Sequence, residues 1–488
     1  MGLKWHDYTS GEGDGMQGEV NKALWQACTA SRGVIEASDF KNYLLTMLFL
    51  KYLTDVEGKD GSSFTLPNHC SFTYLYERRD APEIGALING ALADIEAANG
   101  DRLQGVFCNI DFDHNKLGGI AERQKLNQCF LEDFHQLDLS PDHVKNMDVI
   151  GNAYEYLLER FAAGAGRQAG EYYTPPGIAE LMVRLAAPGP GESVCDPTCG
   201  SGSLLIRSGN FMRDRGSSHF RLFGQEMNPT TWGLAQMNMM LHNLEQSMIV
   251  QGDTIQKPQL LNDDGTLMKF DVVIANPPFS RARWGFETVQ PDPFNRFNRG
   301  CPPRTRGDLA FISHIVETLS DSGRAVVVVQ NGVTFRTGKE KDIRQAFVEE
   351  GLLHTVIGLP ENLFYGTAIS STILVFSKSV HQKVLFIDGQ NLYQRGKNKN
   401  VLDLQSIEKI ESLFLTRQTE SGICFLADLA IIKEKDYNLS PQEYVLKPGE
   451  NVGSDPEQTF LALMESGKRC GEIIAEMKKS MKKLGYDV

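Results

Sequence analysis

The sequence predicts an α/β fold, with one doubly wound sheet domain set between a helical N-terminal region and a helical C-terminal tail. Three observations predict it. Apolar residues in the N-terminal third recur at helical spacing. From Glu171 to about Lys378, short runs rich in β-branched residues alternate with helical stretches, the pattern of strands buried on both faces of a parallel sheet. Four polar, Gly- or Pro-containing turns follow those runs, at the strand ends where open parallel sheets bind ligands. With 488 residues, 41% of them hydrophobic, the chain has room for about three domains with true cores. The expected boundaries are 1–165 for the helical domain, 166–400 for the sheet domain and 401–488 for the C-terminal region.

The start, Met1 to Gly15, is polar and Gly-rich, without the basic-then-apolar pattern of a signal or transit peptide. No apolar run approaches the roughly 20 residues of a membrane span. The expected compartment is the cytoplasm, away from any membrane. After a Ser38-Asp39 cap signal, Phe40, Tyr43, Leu44, Met47 and Leu48 form the stripe of an amphipathic helix. A second helix is expected from about His143 to Phe161, with Met147, Ile150, Tyr154, Leu157 and Leu158 on one face. It runs into Ala163 to Gly170, a Gly/Ala-rich run that reads as a joint between domains.

Strands are expected at Ser193 to Cys195, Arg221 to Gly224, Met248 to Val250, Asp271 to Ala275, Ala325 to Val329, Thr355 to Gly358 and Thr372 to Phe376, with one more at Lys383 to Asp388. From about Pro456 to Leu484 the tail reads as a helix. Ile473, Ile474, Met477, Met481 and Leu484 lie opposite four lysines on it, so it reads as a solvated helix face or a partner-docking helix. Nine cysteines without paired spacing make no disulfide framework. Cys195 and Cys199 have no second pair at ligand spacing, so no metal site is expected. The net charge of −13 excludes a chain that grips nucleic acid over a broad basic surface. Any such footprint is local or belongs to another subunit.

The first of the four turns is Asp196-Pro197-Thr198-Cys199-Gly200-Ser201-Gly202. Glycines there let the backbone approach a ligand and leave helix N-terminal amides free for a carboxylate. Leu205 stands where the third glycine of a dinucleotide fingerprint would fall, which argues against a nicotinamide oxidoreductase. Glu226 follows the next strand, where such folds place a carboxylate for ribose hydroxyls. Gly252-Asp253-Thr254 follows the third strand, and its carboxylate suits the exocyclic amine of an adenine ring.

Asn276-Pro277-Pro278-Phe279 is the sharpest signal. Two prolines fix the backbone and remove two donors, so the carbonyls and the Asn amide oxygen converge as acceptors beside a flat aromatic ring. That arrangement suits methyl transfer to an exocyclic amine, whose lone pair is delocalised and poorly nucleophilic. Hydrogen bonds from both amine protons to Asn276 and the Pro277 carbonyl favour rehybridisation and stabilise the charge that develops as nitrogen attacks a sulfonium methyl.

Together these motifs resemble the amino-methylating DNA methyltransferases over Glu171 to about Lys378, and are most similar to the modification subunits of type I restriction-modification systems. The segments that carry the similarity are Gly170 to Pro175, Gly224 to Pro229, Gly307 to Phe311, Gln330 to Val333, Leu359 to Phe364, the Asp148 to Leu158 helix and Tyr437 to Pro441. The resemblance implies a Rossmann-like S-adenosylmethionine-dependent methyltransferase domain. It implies that S-adenosylmethionine is held by Tyr173, Thr174, Asp196, Thr198, Gly200, Ser201, Gly202, Glu226, Asp253 and Asp308, with Asn276, Pro277, Pro278 and Phe279 catalytic. The implied target is adenine N6 in duplex DNA, which requires base flipping. Phe364 or Tyr365 is the expected stacking partner of the flipped base.

The implied partners are duplex DNA, a separate specificity subunit flanked by two copies of this chain, and a restriction subunit. Between Phe279 and Asp308, six arginines interleaved with Trp284, Phe286, Phe294 and Phe297 are expected to contact phosphates and to order on binding. Within enzymes, cytosine-N4 and protein glutamine-N5 methyltransferases stay open as alternatives. Outside them stands a catalytically silent scaffold of a DNA-binding complex.

Overall fold

Burial on every side defines the first long helix, α1 (Ala37–Val56). Phe40, Tyr43, Leu44, Met47 and Leu48 are buried as the periodicity predicts, but so are Leu45, Thr46, Phe49 and Leu50. The sequence stripe showed one face of a helix that is enclosed all round. In the computed structural model, which describes residues 37–58, 64–140, 148–164 and 173–445 apart from 218, 245, 366–368 and 397–398, with scattered positions outside those spans, α1 is the axis of the helical domain. Around it lie α2 (Phe72–Glu77), α3 (Ile84–Ala98), α4 (Ile120–His135) and α5 (Asp148–Gly164). Lys51, in the same helix, is 7% exposed and paired with Asp55, whose carboxylate also accepts the Leu139 amide at 2.8 Å.

Nine strands form one sheet: β1 (Ser193–Asp196), β2 (Arg221–Glu226), β3 (Met248–Gln251), β4 (Phe270–Ala275), β5 (Leu319–Gln330), β6 (Leu353–Gly358), β7 (Ser371–Ser377), β8 (Lys383–Asp388) and β9 (Cys424–Asp428). Their order is β9-β8-β6-β7-β5-β4-β1-β2-β3. β7 runs antiparallel to both β5 and β6, and β9 antiparallel to β8, so the sheet is mixed where the sequence pattern predicted a parallel one. A strand buried on both faces is a continuous apolar run in either direction, and Ser371–Ser377 carries no mark of its own direction.

Helices cover both faces. Val272, Ile274, Val326 and Val328 point into a layer with α6 (Pro176–Ala186), α7 (Ser203–Asp214), part of α8 (Pro229–Leu241) and α11 (Leu404–Thr416). Val273, Ala275, Val327 and Val329 face the opposite layer, with α9 (Asp308–Glu317), α10 (Lys339–Glu349) and α12 (Leu429–Glu434). The boundary expected at 400 is therefore corrected. Because α11 packs on α6 and β9 hydrogen-bonds to β8, the sheet domain continues to Val445. The joint expected at Ala163 to Gly170 and the tail helix after Pro456 fall largely outside the described residues.

The helical domain docks on α8, whose Leu234, Met237, Met240 and Leu241 belong to the helical domain's core. Tyr154 donates its hydroxyl to the Leu234 carbonyl at 3.2 Å. Gly233 lets the two domains touch: a Cβ there would lie 2.5 Å from the Val106 carbonyl oxygen. Alanine in place of glycine ordinarily stabilises a helix, but here the backbone of the other domain blocks it. Gly233→Ala is expected to destabilise the protein by about 1–3 kcal/mol, read as a lowered denaturant midpoint at unchanged slope.

Candidate active site

Between β1 and β4 the strand order reverses direction, and the crevice beyond their carboxyl ends is where such sheets take ligands. Three loops meet there and are tied by backbone bonds. Cys199 N–H donates to the Gln225 carbonyl at 3.0 Å and Gly252 N–H to the Glu226 carbonyl at 2.9 Å, while the Thr254 hydroxyl reaches the Pro197 carbonyl. The turns after β1, β2 and β3 thus form one unit.

In the first turn, Gly200 has φ 55° and Gly202 φ 84°, values that L side chains rarely adopt. Gly202 caps α7, and a Cβ on it would press the Met239 sulfur at 3.2 Å. Tyr173, Thr174, Asp196, Thr198, Gly200, Ser201 and Asn276 line one pocket at this turn. Asp196 is 1% exposed and accepts the Thr198 amide at 2.9 Å. Burial pushes its carboxyl up to about 7, against the pull of those Thr198 bonds. Glu226 accepts from Gly200 N–H at 3.1 Å and Asn228 N–H at 2.7 Å, and burial also raises its carboxyl. Asp196, buried, and Glu226, partly buried, thus flank the glycine turn with carboxyls whose charged form burial disfavours.

At the carboxyl end of β4, Asn276 donates Nδ2 to the Thr174 hydroxyl at 3.1 Å. That bond fixes the amide and leaves Oδ1 as its acceptor. Pro277 is buried, and Phe279 meets Phe364 edge to face with centroids 5.5 Å apart. Phe364 is 3% exposed. Tyr365, half-buried, donates to Glu159 at 3.0 Å and carries the Lys399 ammonium 3.5 Å over its ring. Of the two aromatics expected to stack on a base, one thus supports Phe279 and the other joins α5 to the segment around Lys399.

Four expected ligands, Gly202, Glu226, Asp253 and Asp308, are not in the lining of this pocket. The Asp253 carboxylate accepts the Ile255 and Gln256 amides, each at 2.9 Å, and so caps its own turn. Asp308, 3% exposed at the start of α9, accepts from Ser280 N–H and Gln330 Nε2. The sequence reading missed Glu155 of α5, whose Oε1 accepts from the Ser203 hydroxyl at 2.8 Å and from Asn238 Nδ2 at 2.7 Å. Burial raises its carboxyl too. An acid beside the Tyr154–Leu158 stripe was the only signal for it.

The arginine-rich segment after Phe279 is already packed. Trp284 and Arg296 are each 1% exposed, Arg296 is bound to Asp292 at 2.8 Å, and Arg299 bridges Glu317 and Glu350. Arg304 pairs with Glu287 and Arg306 with Glu340. The expectation that this loop orders on binding is corrected: Trp284, Phe286 and Phe297 form a small core with Ile255, Ala310 and Phe311. Among the described residues no helix is long and apolar enough to cross a membrane.

Comparison with known proteins places this geometry. The N-6 DNA Methylase family model matches residues 145–451, and the HsdM N-terminal domain model matches residues 20–130. The type I restriction enzyme MpnII methylase subunit of Mycoplasma pneumoniae is 30% identical over 89% of this chain and 91% of its own length. The HindI methylase subunit of Haemophilus influenzae is 32% identical over 78% of this chain and 91% of its own. Among solved structures, the methyltransferase subunit of a type I restriction-modification system from Streptococcus thermophilus superposes with a TM-score of 0.79 at 30% identity, over 88% of this chain and 100% of its own.

Proposed function

This chain belongs to the N-6 DNA methylase family, and on that premise we propose that it methylates the N6 amine of an adenine flipped out of duplex DNA, as the modification subunit of a type I restriction-modification complex. The observation that carries the reading is the junction of two sites at one bond: Asn276 of the Asn-Pro-Pro-Phe turn is hydrogen-bonded to Thr174 of the glycine-turn pocket. A cofactor in that pocket and a base at that turn are neighbours.

The pocket fits S-adenosylmethionine by the chemistry of its groups: buried Asp196 suits the cationic part of the ligand, Glu226 beside the pocket stands where such folds place a carboxylate for ribose hydroxyls, and Gly200 and Gly202, both at positive φ, keep side chains out of the turn. When bound there, it supplies an electrophilic methyl group. Asn276 Oδ1 and the Pro277 carbonyl accept hydrogen bonds from the two N–H groups of the target amine, which localises the nitrogen lone pair. Phe279, backed by Phe364, offers the base a flat apolar wall. Both acceptors stabilise the positive charge that develops on N6 as its bond to the methyl forms and the sulfur–methyl bond breaks, leaving a neutral thioether; the resulting ammonium then loses one proton to solvent.

Asp196 sets a pH dependence. Its carboxyl titrates near about 7 in the free protein, and the cationic ligand binds the ionised form. Below that point each bound ligand must displace a proton. Affinity for S-adenosylmethionine is therefore expected to rise about tenfold per pH unit up to about pH 7 and then level off, measured by calorimetric titration. A flat profile would remove Asp196 from the site.

Sequence readout falls to a separate specificity subunit in this reading, with two copies of this chain beside it and a restriction subunit able to join. The chain's −13 charge and the commitment of Arg296 and Arg299 to internal pairs support that division of labour. The test is transfer of labelled methyl to mixed-sequence duplex DNA by the chain alone and with its specificity subunit. Incorporation only with both is expected, and equal incorporation by the chain alone would contradict the division.

A further inference from the structure

The catalytic turn is anchored at its two ends in different ways. Its entry is β4, fixed by the ladders to β1 and β5. At its exit is Ser280, held at φ 53° in the left-handed region. A residue kept there needs surroundings that over-determine it. Asp308 supplies them, with Oδ1 accepting Ser280 N–H at 3.0 Å and Gln330 Nε2 at 2.9 Å, while that same amide reaches the Ser280 hydroxyl. Gln330 ends β5, the strand beside β4, so the exit is referred back to the sheet that carries the entry.

The arrangement also closes the arginine-rich insertion. Gly307 N–H donates to the Arg281 carbonyl at 3.0 Å, directly beside the Ser280–Asp308 bond. A Cβ on Gly307 would lie 2.6 Å from the Trp284 Cβ, so the neck admits only glycine there. The Asp308 carboxylate is buried, and its second oxygen, Oδ2, has no hydrogen bond but lies 3.6 Å from the Arg336 guanidinium. Arg336 in turn pairs with Glu340, which Arg306 at the far side of the insertion also reaches. A buried anion on the N-terminal turn of α9, facing one guanidinium, holds the neck shut.

From this geometry we infer that Asp308 is a positioning residue for the methyl-transfer step: it clamps Ser280, and through it sets where the Pro277 carbonyl and the Phe279 ring stand. The inference rests on the activity proposed above. Two prolines make the turn stiff, so freeing one end displaces it as a body rather than bending it. A misplacement of about 1 Å at a reacting centre can cost on the order of 10²-fold in rate. Asp308 lies outside the pocket that would take the cofactor, so cofactor affinity is spared.

Asp308→Ala and Asp308→Asn are tested in the complex of this chain with its specificity subunit, on mixed-sequence duplex DNA and S-adenosylmethionine. Asp308→Ala is expected to lower kcat by about 10²-fold, with KM for S-adenosylmethionine within about threefold of the unmodified chain. Asp308→Asn keeps an oxygen for Ser280 N–H and is expected to recover most of that loss, which a purely electrostatic role would not allow. Cofactor binding by calorimetry reports that each variant is folded. A raised KM for S-adenosylmethionine with kcat unchanged would overturn the inference and make Asp308 a cofactor ligand, and so would a variant with full kcat. The unmodified complex separates the two readings: without N6-methyladenine from it, the activity itself fails, whereas loss confined to the variants' cofactor affinity sinks only the role of Asp308.

Discussion

Asn276→Ala is expected to slow methyl transfer by about 10²–10³-fold, the usual cost of removing one preorganised group that meets charge in a transition state. The side chain does two things that alanine cannot. Its Oδ1 accepts a hydrogen bond from the target amine, and its Nδ2 bond to Thr174 keeps that oxygen in register with the cofactor pocket. Since Thr174 and the glycine turn are otherwise untouched, S-adenosylmethionine should bind within about threefold of its normal affinity. Single-turnover rates set beside calorimetric binding separate the two effects. A variant that loses affinity and keeps its rate would show that Asn276 serves the cofactor and not the amine.

Asp196→Asn is expected to weaken S-adenosylmethionine by about 10–100-fold, the range for losing a hydrogen bond to a charged partner. The same substitution should change how the stability of the free protein depends on pH. With its carboxyl raised from 3.8 to about 7, the folded chain binds more protons than the unfolded chain between those values. The stability that Asp196 contributes is complete below the unfolded value and is lost as pH rises through about 7. Asparagine has no proton to lose, so the melting temperature of the variant should gain on that of the parent as pH climbs from about 4 to about 7, and the difference should level off above that. A site shaped for a cation is a poor place for a carboxylate without one, and stability is sacrificed there for binding.

The strand-ending turns were legible because their residue types have few other uses. Asn-Pro-Pro-Phe after Asp271 to Ala275, and the glycines after Ser193 to Cys195, sit at the ends of β4 and β1 as expected. Lys383 to Asp388 matched its strand residue for residue. Strand direction was hidden, because Ser371–Ser377 reads the same either way, and β9 was missed because Cys-Phe-Leu-Ala-Asp is too short to outweigh the helical stretches beside it. Composition misled at the arginines: alternation with aromatic rings reads as a nucleic-acid surface, yet Arg296 and Arg299 are spent on Asp292, Glu317 and Glu350. Asp292 is only four residues from Arg296, but Glu317 and Glu350 stand 18 and 51 residues from Arg299, beyond the reach of local pattern.

Asp308 illustrates the same limit at the site. An acid in a Gly-Asp-Leu-Ala-Phe segment is equally consistent with a ligand contact and with a clamp behind the catalytic turn. Only the partners, Ser280 and Gln330, distinguish them. Glu155 was invisible for a related reason, since its partners Ser203 and Asn238 belong to a different domain from its own helix.

The central claim, that the Asn276 to Phe279 turn and the glycine-turn pocket together methylate adenine N6, is tested most directly by the identity of the product. The complex of this chain with its specificity subunit is incubated with trideuteriomethyl-labelled S-adenosylmethionine and duplex DNA, and the digested nucleosides are analysed by mass spectrometry. Trideuterated N6-methyladenine, absent when Asn276→Ala replaces the parent chain, is the predicted result. Label in N4-methylcytosine or in protein glutamine, or none in the DNA while the cofactor stays bound, would contradict it.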